Sequence, residues 1–86
     1  MEFEFDKGKS ISNKIKHGVD FYQARKLWED PEHIIIPART AGEERYVMIA
    51  QSGEDYWTTI YTLRGEVVRI ISVRKSRQNE KAIYNG

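Results

Sequence analysis

The chain has 86 residues, with 14 lysines and arginines against 13 aspartates and glutamates, and no cysteine. A chain of this length forms one domain, residues 1–86, and buries only about 60–65% of its unfolded surface. The lack of cysteine excludes disulfides and thiolate metal sites and agrees with a reducing compartment, so we expect a cytoplasmic protein. Apolar stretches such as Ile34–Ile36 are too short to cross a bilayer, and acidic residues after Met1 argue against a signal peptide.

The charge is distributed unevenly along the chain. From Arg64 to the end, six cations stand against two acids, whereas Gly18–Leu63 holds four cations and eight acids. A basic segment of this kind can bind a polyanion even when the net charge is close to zero. A solvated strand and helix would carry the same charges, so composition leaves both interpretations open.

The N-terminal third predicts a strand and a helix. Residues 2–5 alternate polar and aromatic side chains, which is typical of a half-buried strand. The following helix ends at Gly18, a preferred C-cap, beside cations that the helix dipole favours. Ile11 and Ile15 lie on one side of this helix. The opposite stripe consists of Asp6, Lys9, Asn13, Lys16 and His17. We expect Asp6 and Asn13 to fix the helix against the sheet rather than to contact RNA.

The next segment predicts a second helix and a short strand. Asp20 stands at the N-cap, with Gln23 at the capping-box position. Pro31 ends this helix, because proline cannot continue the hydrogen-bond ladder. Ile34–Ile36 is β-branched and predicts a strand that ends at Pro37.

The C-terminal half predicts sequential strands. After a loop at Thr40–Gly42, the segments Arg45–Gln51, Tyr56–Leu63 and Val67–Val73 have strand character, and Ser76 can cap a final short helix. Tight turns between successive strands favour antiparallel pairing. We therefore expect an α+β fold: a mostly antiparallel sheet, two helices after the first strand, a short C-terminal helix, and the helices packed on one side of the sheet.

Motifs along the whole chain resemble those of the BrnT toxin family. They run from an aromatic-Asp pair, through a helix ending in Lys-His-Gly-Val, to a C-terminal block of arginines, a glutamate and a tyrosine. The matching residues are Phe5-Asp6, Lys16-His17-Gly18-Val19, Asp30-Pro31, Gly42-Glu43-Glu44-Arg45, Tyr61-Thr62, Arg64-Gly65, Arg69-Ile70-Ile71-Ser72, Arg74-Lys75, Glu80 and Tyr84.

The resemblance implies a RelE-like fold and ribonuclease activity on cellular RNA. It further implies neutralisation by a BrnA-type antitoxin, a ribbon-helix-helix protein through which the complex would bind operator DNA. The chain itself would then contact RNA and the antitoxin, and neither DNA nor a membrane.

RNA cleavage without a metal needs a base for the 2′-hydroxyl, cations for the phosphate, and an acid for the leaving oxygen. Arg64, Arg69 and Arg74 are the candidate cations, because the guanidinium fork can bond two phosphate oxygens. Arg69 interrupts an apolar strand, so it lines a groove or pairs with an acid. The structural alternative is a salt bridge from Arg69 to Glu43 or Glu44.

Strict strand alternation puts Arg69 and Arg74 on opposite faces, unless a bulge near Ser72 brings them together. Arg64 and Arg69 therefore rank above Arg74 and Lys75 as catalytic candidates.

The final helix carries Glu80 and Tyr84 one turn apart, with Arg77 and Lys81 on the same face. Glu80 could act as the base if a groove of low dielectric raises its pKa, and Tyr84 could stack on a base or bond a phosphate. The alternative is a solvated helix with ion pairs among its charged residues and Tyr84 as its hydrophobic anchor.

His17 is the histidine best placed for acid–base chemistry, although a helix C-cap also explains it. The candidate catalytic set is thus Arg64, Arg69, Glu80, Tyr84 and His17, and the candidate RNA-binding set is Arg74, Lys75, Arg77, Lys81 and Lys16. The two histidines have no ligand-type companions at suitable spacing, so we expect neither a metal nor a cofactor. A non-catalytic module that binds protein or nucleic acid is the rival hypothesis.

Overall fold

The computed structural model describes residues 1–86, apart from the side chain of Thr40. It is an α+β fold built on one five-stranded sheet with the strand order β1-β5-β4-β3-β2. The strands are β1 (Phe3–Glu4), β2 (Ile34–Thr40), β3 (Glu43–Ser52), β4 (Asp55–Arg64) and β5 (Val67–Lys75). The helices are α1 (Lys7–His17), α2 (Phe21–Ala24), which continues as a 3-10 helix (Arg25–Glu29), and α3 (Gln78–Asn85). No helix in the described chain is long and apolar enough to span a membrane.

Local capping interactions fix the first two helices, as their sequences predict. The Asp6 carboxylate accepts the Lys9 amide at 2.9 Å at the start of α1. Gly18 closes the same helix in the left-handed region, at φ 82°, where a side chain would be strained. Asp20 and Gln23 form a reciprocal capping box at the start of α2.

Strands β2 to β5 pair in antiparallel fashion, and β1 pairs in parallel with β5. In that parallel pair Phe3 lies opposite Val68, and Glu4 lies opposite Arg69. The first strand thus joins the last one, a pairing between chain ends that no local sequence signal could indicate.

Two expected boundaries are wrong. Strand β2 does not end at Pro37 but runs on to Thr40, so the predicted loop there is only a turn at Ala41 and Gly42. Proline is tolerated because β2 is an edge strand, which needs only half of its amides for pairing. Ser76 does not cap α3: its hydroxyl lies 2.8 Å from that of Thr58, and Arg77 occupies the N-cap position.

The helices flank both faces of the sheet, contrary to the expectation of one side. One face, the core face, packs against α1, α2 and the 3-10 helix. Its core residues are Phe21, Ala24, Leu27, Met48, Ala50, Tyr61, Val68, Ile70 and Val73. Helix α3 lies on the opposite face at one end, where Glu80 contacts Thr58. The other end of that face is not covered by α3, and we call it the distal end.

Candidate functional site

A bulge in β5 decides which arginines share a face. Ile60 pairs with Ser72, but the next residue, Tyr61, pairs with Ile70, so Ile71 is the extra residue. The alternation shifts by one position, and both Arg69 and Arg74 point away from the core face. The sequence allowed either strict alternation or a bulge near Ser72, and the structure contains the bulge.

Three arginines lie together at the distal end of the sheet. Arg69 pairs across the ladder with Thr62, and Arg64 follows Thr62 by two positions on the same face. The Cα atoms of Arg64 and Arg69 are therefore roughly 7–8 Å apart, as for any diagonal pair. Arg45 shares this face. It lies two residues before Val47, and Val47 pairs with Ile60, which lies two residues before Thr62 on the same face. We call Arg45, Arg64 and Arg69 the arginine cluster.

Arg69 pairs with an acid, but not with the acids expected. Its Nη1 lies 2.7 Å from Oε2 of Glu4, its parallel neighbour on β1, and both side chains are about one-third exposed. Glu43 and Glu44 instead bind Arg45 and Arg39, each at 3.3 Å. A partly exposed pair of this kind stabilises the fold little and remains accessible to a competing anion.

The other two members of the cluster differ in their surroundings. Arg64 is exposed at the end of β4 and has no ion-pair partner among the side chains that the structure describes. Arg45 is half-buried, and its Nε is buried without a described hydrogen-bond partner. The cluster thus contains one guanidinium, that of Arg64, which is open to solvent and can bind an anion.

Helix α3 is held to the sheet by Glu80. Its carboxylate accepts Arg74 Nη1 at 2.7 Å and Nη2 at 2.9 Å, the Thr58 hydroxyl at 2.9 Å, and the Arg77 amide at 2.8 Å. The Arg74 fork, outweighing the effect of burial, lowers the pKa of Glu80 to about 2. A general base would need a raised pKa, so this lowered pKa is the opposite of what was expected. The ion pairs expected within α3 are replaced by the pair between Glu80 and Arg74 of β5.

Tyr84 is hydrogen-bonded to Asp30, the residue that follows the 3-10 helix. Its hydroxyl donates to Asp30 Oδ2 at 2.7 Å, and this bond raises the pKa of Tyr84 to about 12. Burial would raise the pKa of Asp30, but hydrogen bonds from the Gln51 amide, Tyr84 and the Glu32 amide lower it overall. Tyr84 thus anchors α3 by a polar bond as well as by its ring.

The remaining predicted RNA-binding cations are dispersed. Lys75 pairs across the ladder with Trp57 on the core face and binds Asp55 at 2.9 Å, so it does not join Arg74. Arg77 is exposed at the start of α3. Lys81 places its ammonium 5.7 Å from the ring centre of Tyr56.

His17 and Lys16 are exposed at the C-terminal end of α1. Asn13, one turn earlier, bonds Val73 near the end of β5. Four strand residues, or about 13 Å, separate Val73 from Arg69, so His17 does not join the arginine cluster. Among the described side chains, no three His, Asp or Glu residues converge as metal ligands.

Two residues of the site, Glu4 and Arg45, were missed from the sequence. Glu4 became relevant only through the parallel β1–β5 pairing, which is long-range. Arg45 lies near the start of a strand, two residues before Val47. Strand alternation places Arg45 and Val47 on the same face, and this spacing was the signal that the sequence offered.

A comparison with protein families identifies the family of this chain. The model of the family described as ribonuclease toxin, BrnT, of type II toxin-antitoxin systems matches residues 5–80, a range that contains Arg45, Arg64 and Arg69 but not Glu4. A comparison with curated proteins gave no match. Because the family model covers most of the 86 residues, the chain belongs to the BrnT family of ribonuclease toxins.

Proposed function

We propose that the protein is a metal-independent endoribonuclease that cleaves cellular RNA in the cytoplasm and is silenced by a BrnA-type antitoxin. The observation that carries the proposal is the arginine cluster on an uncovered end of the sheet, in a chain of a ribonuclease toxin family. In type II systems the partner is a protein antitoxin, so an RNA substrate and a protein inhibitor both follow from the family.

Arg64 and Arg69 are the proposed phosphate-binding residues. The 2′-hydroxyl of RNA supplies the nucleophile, so the protein must stabilise the charge that builds up on the phosphate and move protons. Arg64 is exposed, and Arg69 can exchange its contact with Glu4 for a phosphate oxygen. Arg45 would orient the same phosphate or the next one, and the exposed Arg77 would bind the RNA strand further along.

Proton transfer is assigned differently from the sequence expectation. Glu80, with a pKa of about 2, and Tyr84, with a pKa of about 12, are both poorly matched to exchange protons near neutral pH. His17 lies toward the other end of β5. Two carboxylates contact the cluster: Glu4 lies 2.7 Å from Arg69, and Glu43 lies 3.3 Å from Arg45. Glu4 contacts one of the two proposed phosphate-binding arginines, so we assign the proton-accepting role to it.

The test is cleavage of a labelled single-stranded RNA in the presence of EDTA. Arg64→Ala and Arg69→Ala should each lower the rate by about 10²–10³, the usual cost of losing one transition-state contact. Arg39→Ala is the matched control, because Arg39 is exposed at the same end of the sheet but on the core face. It should cleave like the parent protein.

Two results would contradict the proposal. Full cleavage by both variants, with circular dichroism showing that they are folded, would remove the arginines from the mechanism. Activity that EDTA abolishes and Mg²⁺ restores would contradict metal independence. The rival hypothesis, a non-catalytic binding module, predicts no cleavage by the parent protein.

A further inference from the structure

Helix α1 turns its apolar residues toward solvent. Ile11 and Ile15 are 63% and 81% exposed, whereas the buried side chains of the helix are the polar Ser10 and Asn13. Both polar residues hydrogen-bond main-chain groups of neighbouring elements. The helix is therefore fastened to the fold by hydrogen bonds, and the two isoleucines contribute little to the core.

The two isoleucines form a ridge beside a row of positive charge. At 3.6 residues per turn they lie on one face, with Gly8 at the N-terminal end of the ridge. Lys7 and Lys14 flank the ridge on one side, whereas Lys9 and Lys16 lie on the polar stripe further around the helix. The helix contains no acidic residue. Lys14 donates to the neutral Gln23 side chain at 2.9 Å, so its charge is not compensated there.

We propose that this surface, the α1 ridge, is the docking site for an acidic amphipathic segment of the antitoxin. Apolar side chains of the segment would cover Ile11 and Ile15, and carboxylates along one side would meet Lys7 and Lys14. The proposal rests on the proposed function only in taking the antitoxin as the partner.

The charge pattern disfavours the other occupants. A second copy of the chain would bring two lysine-rich helices together, and like charges repel. A membrane-bound helix usually carries a wide apolar face with aromatic residues, whereas this ridge offers two aliphatic side chains. Exposed isoleucine flanked by lysine therefore suits an acidic protein segment best.

The α1 ridge is separate from the arginine cluster. Helix α1 lies beside β5, where Asn13 bonds Val73, whereas the cluster is at the distal end of the opposite face. An anchor outside the RNA-binding surface would add affinity for the antitoxin without taking part in cleavage. Changes to the ridge should therefore separate inhibition from catalysis.

The experiment compares the Ile11→Ser/Ile15→Ser double variant with the parent protein in RNA cleavage with increasing amounts of the co-encoded antitoxin. Both positions are exposed, so folding and cleavage without antitoxin should be unchanged. Silencing should need at least about tenfold more antitoxin, because the apolar anchors are lost. Ile35→Ser is the control: Ile35 is 43% exposed on β2, at the far edge of the sheet, and its variant should be silenced normally.

Three outcomes are decisive. Parent-like silencing of the double variant would overturn the docking site and leave the proposed function intact. Failure of the antitoxin to silence the parent protein would instead count against the proposed function. Binding to vesicles of equal parts phosphatidylserine and phosphatidylcholine, lost in the double variant while silencing is normal, would assign the ridge to a membrane surface and also overturn the proposal.

Discussion

Arg74 and Glu80 form a bidentate ion pair that joins the last strand to the last helix, with both nitrogen–oxygen distances below 3 Å. The pair is largely buried, and Thr58 and the Arg77 amide satisfy the same carboxylate. Glu80 is therefore a structural acid whose charge is required for α3 to dock.

The first prediction concerns the pH dependence of stability. The pKa of Glu80 is lowered from an ordinary 4.5 to about 2 in the folded protein. The charged form thus favours folding above about pH 4.5, and this contribution is lost as the pH falls toward 2. Glu80→Gln should lower the free energy of unfolding at pH 7 by up to roughly 3 kcal/mol.

The check is denaturant unfolding of the parent protein and Glu80→Gln between pH 7 and pH 2. The difference between them should stay constant down to about pH 5 and shrink below it. A difference that does not change with pH would mean that the charge of Glu80 is not what the variant removes.

The second prediction concerns Tyr84 and the anchoring of α3. Tyr84→Phe keeps the ring against Tyr56 but removes the hydrogen bond to Asp30. The free energy of unfolding should fall by about 1–2 kcal/mol, since the bond has a charged acceptor. Amides of residues 78–85 should exchange faster with deuterium. Tyr22→Phe, at an exposed position, should change neither quantity, and equal effects from both variants would contradict the assignment.

The features that the sequence predicted best are those set by neighbouring residues. Asp6 and Gly18 bound α1, and Asp20 with Gln23 starts α2, because capping needs only a few adjacent positions. The antiparallel β4–β5 hairpin followed from two strand-forming segments separated by a short turn at Gly65.

The features that it missed depend on distant contacts. The Glu4–Arg69 pair exists because β1 pairs with the edge of β5 that is not paired with β4. The face of the sheet on which α3 packs depends on the ion pair between Arg74 and Glu80. Asn13 is different, because the expectation that it fixes helix α1 against the sheet is confirmed: its amide bonds both backbone groups of Val73.

The third prediction tests Glu4 as the proton acceptor. Glu4→Gln can still hydrogen-bond Arg69 but cannot take a proton, so the cleavage rate should fall by about 10²–10⁴. Glu2→Gln is the matched control, because Glu2 is an exposed acid two residues earlier on the same strand side. If Glu4→Gln cleaves normally, the carboxylate only positions Arg69, and the base must be another group.

The last prediction distinguishes an RNA-binding surface from a surface that binds protein only. Binding of a 2′-O-methyl RNA, which cannot be cleaved through its 2′-oxygen, should weaken as salt increases. If the three members of the arginine cluster contact phosphates, the plot of log affinity against log salt should have a slope near −2, from about −0.7 per contact. Arg64→Ala should make the slope less negative by about 0.7, whereas Arg39→Ala on the core face should leave it unchanged. Two results would show that the arginine cluster does not bind RNA: a slope near zero in the parent protein, or an equal change of slope in both variants. Either result would support the rival hypothesis of a protein-binding module.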